Sequence, residues 1–355
     1  MVSRTLIPRF ALVTMLRFRR SAYHSFAIVL AAFSLAGGCK QRDSESPDRI
    51  FVDTKPRIVV TTGMVGDMVK AIVGDAAEVN VLMGPGVDPH LHQPTRGDAV
   101  DLKDADIVVY NGLHLEGQLG EVLKRRQSSG QLTIAVADGL DRSRLLDADA
   151  GYYDPHIWMD VALWADAIDP LTAAMAAAMP GQADTFVQSA AAYKAELLQL
   201  DRWASESLAT IPQSRRVMIT AHDAFRYFGR RYDVEVHGVQ GVSTISEAGI
   251  TDVNELVELI VTRDVRAVFF ETSVSKRQVE AIVDGAESRG KPVSSDHTLY
   301  SDSLGAVGSG ADTYVGMLRM NVRTITEALG GTVAPSELDA TIAPSELQRE
   351  AVASP

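Results

Sequence analysis

Two Asp-Pro-His turns, Asp88-Pro89-His90 and Asp154-Pro155-His156, constrain this 355-residue chain more than any other feature. Proline fixes its own φ and pushes the residue before it out of the helical region, so each histidine leaves a rigid, extended turn. A neutral imidazole held this way suits a transition metal, and an aspartate nearby can accept a hydrogen bond from the other ring nitrogen. Taken singly, either turn reads as an ordinary turn with a partly exposed histidine. Their repetition points to one shared site.

The N-terminus is an export signal. Residues 1–38 carry Arg4, Arg9, Arg17, Arg19 and Arg20 with no acid, then an apolar run from Phe26 to Leu35 that is too short to span a bilayer. Met15 is an alternative start that would give the basic region its usual length. Ala36-Gly37-Gly38-Cys39 resembles a bacterial lipoprotein cleavage site, in which the cysteine becomes the lipidated first residue; cleavage beside a free thiol is the other reading. Cys39 is the only cysteine, so no internal disulfide staples the exported chain. Removing the five arginines takes the formal charge from −12 to −17, which argues against a nucleic-acid partner.

Residues 39–56 are polar and proline-punctuated, as expected of a lipid-anchored tether. From Arg57 onward, strand and helix patterns alternate. Strands are expected at Arg57–Thr62, Glu78–Met83, Ile107–Asn111 and Leu132–Ala137, with helices after Gly63, at Thr95–Lys103 and at Glu116–Arg126. Asp160 reads as the N-cap of a helix from Val161 to Met179, bent or broken at Pro170. From Gln182 to Leu208, Phe186, Ala190, Tyr193, Leu197, Leu200 and Ala204 step by four and three, predicting one long helix of ~40 Å. The alternation then resumes: strands at Arg216–Thr220, Ala267–Glu271 and Pro292–Ser295, helices at Asp252–Val261, Lys276–Val283 and Asp312–Leu329. Such an order implies an α/β chain with parallel sheets covered on both faces, and ligands outside the carboxyl ends of the strands. The tail carries Ala-Pro-Ser-Glu-Leu twice, at 334–338 and 343–347.

Four segments carry a family likeness: Val87-Asp88-Pro89-His90, Asp154-Pro155-His156-Ile157-Trp158-Met159-Asp160, Thr220-Ala221-His222-Asp223-Ala224-Phe225 and Tyr300-Ser301-Asp302-Ser303-Leu304-Gly305. With Tyr110-Asn111-Gly112-Leu113 and Gly238-Val239-Gln240-Gly241, their order resembles the periplasmic zinc/manganese-binding proteins of metal ABC importers, the cluster A-I zinc, manganese and iron carriers. The resemblance covers roughly residues 57–330. It implies two α/β lobes joined by one long rigid helix with a metal in the interlobe cleft, His90, His156, His222 and Asp302 as ligands, and delivery to a membrane permease. The expected organisation is a signal peptide (1–38), a tether (39–56), a first lobe (57–180), a linker helix (181–211), a second lobe (212–332) and a polar tail (333–355), in a monomer.

Three imidazoles and one carboxylate suit Zn2+ and remain acceptable to Mn2+ or Fe2+. His222 stands where manganese-selective members often carry glutamate, and the segment Asp141–Tyr153 lacks the histidine-rich loop of many zinc-specific members, so selectivity stays open. His92 is a rival to His90. His24 lies in the signal; His114, His237 and His297 read as loop or packing residues, Trp158 and Trp164 as core, and Asp223, Glu247 and Glu271 as ion-pair or supporting groups. Two other functions are weighed: a zinc hydrolase with an open water position on the same histidines, and a surface adhesin, for which nothing in the sequence encodes a partner site. No His-Glu-x-x-His helix, Gly-x-Ser-x-Gly elbow or phosphate loop supports catalysis.

Overall fold

The computed structural model describes residues 55–148 and 151–336. The expected signal peptide, Cys39, most of the tether and the greater part of the repeated tail lie outside the described residues.

The first lobe is built on β1 (Arg57–Val60), β2 (Glu78–Val81), β3 (Ile107–Tyr110) and β4 (Thr133–Ala135), all parallel in the order β2-β1-β3-β4. The two central strands are Val/Ile runs that alternate nothing, because both faces are covered: Ile58, Val59, Val60, Ile107, Val108 and Val109 are all fully buried. Helices α1 (Gly63–Val73), α2 (Arg96–Asp104) and α3 (Gly120–Ser128) connect them. Thr95 and Asp98 form a reciprocal capping box that starts α2.

The second lobe repeats the plan with β5 (Val217–His222), β6 (Glu235–Gln240), β7 (Ala267–Glu271) and β8 (Ser294–Leu299) in the order β6-β5-β7-β8, again parallel. Its helices are α7 (Arg226–Tyr232), α8 (Ile250–Arg263), α9 (Arg277–Ser288) and α10 (Tyr314–Ala328).

Between the lobes the chain runs through α4 (Val161–Asp166), α5 (Ile168–Ala178) and α6 (Ala183–Ala209). The expected 161–179 helix breaks at Ala167, three residues before Pro170. Proline lacks the N–H that would reach the Asp166 carbonyl, and its ring crowds that carbonyl, so the disruption falls on the preceding turn. All six predicted stripe positions of α6 are buried. This 27-residue helix packs against α1, α4 and α5, which precede it in the chain, and against α7 and α10 of the second lobe. Tyr193 donates to Asp67 of α1 (2.8 Å), while Tyr232 and Arg231 of α7 both bond Asp201 of α6. One apolar cluster runs from Met64 and Ile72 through Trp158, Trp164, Phe186 and Leu200 to Phe228, Tyr314 and Met317. Each such fully buried side chain contributes ~1.5–3 kcal/mol, so the linker is part of the core and cannot act as a free hinge.

Several elements differ from expectation. Helix α3 starts at Gly120 instead of Glu116, because the Glu116 carboxylate is drawn inside to accept bonds from Thr61 Oγ1 (2.8 Å) and the backbone N–H groups of Asn111 (2.7 Å) and Gly112 (3.3 Å). The strand at 132–137 keeps only three residues before a 3-10 turn at Val136–Gly139. β8 extends to Leu299, well past Ser295, as a largely polar edge strand. The start of the tail is packed: Trp203 donates to the Ala334 carbonyl and Ala334 N–H to Ser207 of α6.

Candidate metal centre

The four residues implied by the family likeness come from four strand ends. His90 lies in the turn after β2, His156 in the segment after β4, His222 is the last residue of β5, and Asp302 follows β8. All lie at or beyond carboxyl ends, where a parallel sheet leaves room for a ligand. Their ligand atoms fall within 4.8 Å of one another, and the four side chains are at most 3% exposed. His156 Nε2 lies 3.3 Å from the Nε2 atoms of both His90 and His222. The Asp302 oxygens approach His156 Nε2 (3.5 Å) and His222 Nε2 (3.2 Å).

Carboxylates behind the rings set which nitrogen faces inward. His156 Nδ1 donates to Asp154 Oδ1 (2.8 Å) and His222 Nδ1 to Glu271 Oε2 (2.6 Å). With Nδ1 donating to the carboxylate, Nε2 is the nitrogen that faces the centre, and it offers a lone pair there when the ring is neutral. The two Asp-Pro-His turns share one backbone device, the aspartate Oδ1 accepting the histidine N–H at 2.8 Å and 3.0 Å. They differ in the second use of the acid: Asp154 holds its own ring, whereas Asp88 Oδ2 accepts Thr244 Oγ1 from the other lobe (2.6 Å). Trp158 packs edge-on against His156 and donates to the Ser301 carbonyl (2.9 Å), tying the second turn to the Asp302 loop.

Both Asp302 oxygens are fully buried without a well-aligned hydrogen-bond partner, and their nearest polar neighbour is His222 Nε2 at 3.2 Å. Burial raises the Asp302 carboxyl, but the His222, His156 and His90 imidazoles outweigh it and hold it below the usual carboxylate range. Burial pushes His90 down to about 3. Burial also opposes the charged form of His222, yet Asp302 and Glu271 override it and hold this ring well above its ordinary value. A buried anion gathered with three imidazole nitrogens is an electrostatic arrangement that a small dication can complete in place of the imidazole proton, and the donor set fits a four-coordinate N3O centre.

The other histidines lie elsewhere. His92 bonds Asp98 of α2 (3.0 Å), so it is not brought to the centre as a rival of His90. His114 packs on Tyr152, His237 bonds Glu235, and His297 bonds Ser294 and lies over Phe269; His24 is outside the described residues. Asp223 pairs with Arg226 (3.6 Å) and is raised to about 6, mainly by burial. Glu247 is exposed, whereas Glu271 stands directly behind His222; Trp158 and Trp164 are fully buried in the core. Sequence reasoning has Asn111 only as part of the family likeness and Glu116 only as a helix start, and misses their support of the site. Asn111 donates to the Pro155 carbonyl (3.0 Å), and its own N–H is fixed by Glu116, so the Asn111-Gly112 turn braces the His156 turn. A Gly after Asn was the available signal.

Two similar α/β lobes, a rigid spanning helix and a buried N3O donor set between strand ends define a solute-binding receptor of the metal-carrying type. The chain belongs to the family described as ZnuA, zinc-uptake complex component A, periplasmic, which it matches over residues 58–328. It is 41% identical over 304 residues to the manganese-binding lipoprotein MntA of Bacillus subtilis, covering 85% of this chain and 97% of that protein. It is 42% identical to the zinc-binding protein TroA of Treponema pallidum, covering 78% and 90%. The solved structure of that periplasmic protein superposes with a TM-score of 0.76 over 78% of this chain and 99% of its own. At 28% identity, covering 78% and 89%, it also resembles the iron ABC transporter substrate-binding lipoprotein MtsA of Streptococcus pyogenes. The family is an extracytoplasmic binding component of metal ABC importers and not an enzyme. These relatives lend nothing to the hydrolase and adhesin alternatives.

Proposed function

We propose that this protein captures one divalent transition metal, zinc or manganese, through His90, His156, His222 and Asp302 and releases it to a membrane permease. The observation that carries this is the buried Asp302 carboxylate gathered with three imidazole nitrogens, two of the rings fixed by carboxylates behind them. Ferrous iron fits the same donors less selectively. Relatives of comparable identity are named for manganese and for zinc, so family membership leaves the cargo to the site. Three imidazoles favour zinc; both Asp302 oxygens facing inward offer manganese the added oxygen it prefers.

Cys39 is the proposed lipid anchor, with 1–38 removed on export and 39–56 as tether to a monomeric body whose lobes comprise 57–180 and 212–332, joined by a helix within 181–211. The lipoprotein relatives support the anchor. Competitive titration with zinc and manganese tests the central assignment. One metal per chain, lost on His156→Ala or Asp302→Ala in folded protein, is expected; unchanged affinity in either variant contradicts it.

A further inference from the structure

The loop between β6 and α8, residues 241–249, reaches the first lobe beside the His90 turn, and only one of its residues is buried. Thr244 is 6% exposed, while Ile245, beside it, is 65% exposed and Gly241, Ser246, Glu247 and Gly249 are exposed as well. Its own lobe holds it at the two ends, where the Gly241 carbonyl accepts from Asp223 N–H and partly buried Ala248 packs on the core, which leaves the middle of the loop with little apolar burial to hold it. Its buried residue is fastened to the opposite lobe. Thr244 Oγ1 donates to Asp88 Oδ2 at 2.6 Å, and the other oxygen of the same carboxylate accepts the His90 N–H at 2.8 Å. The second-lobe loop is thus two hydrogen bonds from a first-lobe metal-site histidine, through one carboxylate. A second bond spans the lobes nearby: Gly86 N–H donates to Ser303 Oγ at 2.9 Å, joining the His90 turn to the residue after Asp302.

We propose that residues 241–249 form a strap over the metal, fastened by the Thr244 hydroxyl to Asp88, and that Thr244 is a positioning residue governing how fast metal leaves. The inference rests on the metal-site reading above. The core helix α6 prevents wide opening of the lobes, so a buried ion leaves through a local movement. The strap is suited to such a movement, because lifting it breaks one side-chain hydrogen bond and exposes little apolar surface. Breaking that bond also frees the acid that orients the His90 backbone, so release of the strap loosens one side of the site. On this account a surface that pulls the strap outward discharges the metal without separating the lobes.

The test is zinc release from the full chain into excess chelator, followed by stopped flow, for wild type, Thr244→Val, Thr244→Ala, Thr244→Ser and His156→Ala. A hydrogen bond to a charged acceptor, lost without change of side-chain shape, accelerates release roughly ten- to a hundredfold in Thr244→Val. Thr244→Ala behaves likewise, Thr244→Ser restores slow release, and thermal midpoints of the metal-free variants stay together. Release within twofold of wild type in both Val and Ala variants, roughly the scatter of such context-dependent effects, overturns the strap. Fast release that serine does not restore also overturns it, because side-chain shape and not the hydroxyl would then be responsible. If instead His156→Ala still retains zinc, the metal-site reading itself fails.

Discussion

Glu271 tests whether the carboxylates behind the rings matter as much as the rings themselves. It is 2% exposed, and both of its oxygens are engaged by one residue: Oε1 accepts the His222 N–H at 2.9 Å and Oε2 the His222 Nδ1–H at 2.6 Å. Glutamine offers a single carbonyl oxygen for those two donors. If its amide faces the ring, the imidazole answers by accepting at Nδ1, which moves its proton to Nε2, the atom turned to the metal. If the amide faces the backbone, a buried N–H is left unpaired. Either outcome removes a charge-assisted bond worth ~1.5–3 kcal/mol, so Glu271→Gln weakens metal binding roughly ten- to a hundredfold, the range usual for partners of ligating histidines. Competition against a chromophoric chelator at neutral pH reads the change, with circular dichroism confirming the fold. His237→Ala is the control, because His237 pairs with Glu235 two residues earlier in β6 and not with any of the four site residues, and its loss leaves affinity unchanged. A Glu271→Gln protein that binds as tightly as wild type refutes the reasoning.

Three other outcomes follow from the same geometry. His92→Ala leaves metal affinity unchanged, since His92 is paired with Asp98; a marked loss in the same titration would make it a ligand after all. Filling the site releases protons, because, against burial, Asp302 and Glu271 raise the metal-free His222 well above its ordinary value and imidazole binds metal only when neutral. The sign is that affinity falls as pH falls; calorimetry in buffers of different ionisation enthalpy reads the proton, and a heat independent of buffer contradicts it. Gly238→Ala places a Cβ 2.4 Å from the Asp223 backbone nitrogen and 2.6 Å from its Cα, backbone that cannot yield without moving His222. It destabilises the fold by roughly 1–3 kcal/mol and weakens metal binding; an unchanged thermal midpoint would count against that packing.

The two-lobe plan was legible because its strongest signals are local. Val/Ile runs between helical patterns mark buried parallel strands, the α6 stripe keeps its period for more than 20 residues, and proline makes the two Asp-Pro-His turns rigid wherever they fall. Elements whose identity depends on neighbours were not legible. β6 (Glu235–Gln240) carries Gly238 mid-strand, where glycine usually weakens a strand, because Asp223 passes too close for any side chain. Glu116 looks like an acid at a helix start and instead caps a turn from inside the lobe. The site divides the same way. His90 and His156 announce themselves by their turns, whereas His222 and Asp302 emerge through family likeness. Glu271 reaches His222 only because β7 lies beside β5, and Thr244 reaches Asp88 only across the cleft. Pairings of that kind arise from tertiary contact, which no local pattern encodes.

The central claim is that His90, His156, His222 and Asp302 hold one ion. Anomalous scattering from crystals of zinc-loaded protein, collected on both sides of the zinc edge, locates the metal directly. A single strong peak ~2.0–2.2 Å from the Nε2 atoms of the three histidines and from an Asp302 oxygen is the predicted result. A peak ligated by other residues, or no peak among these four in stoichiometrically loaded protein, would contradict the account.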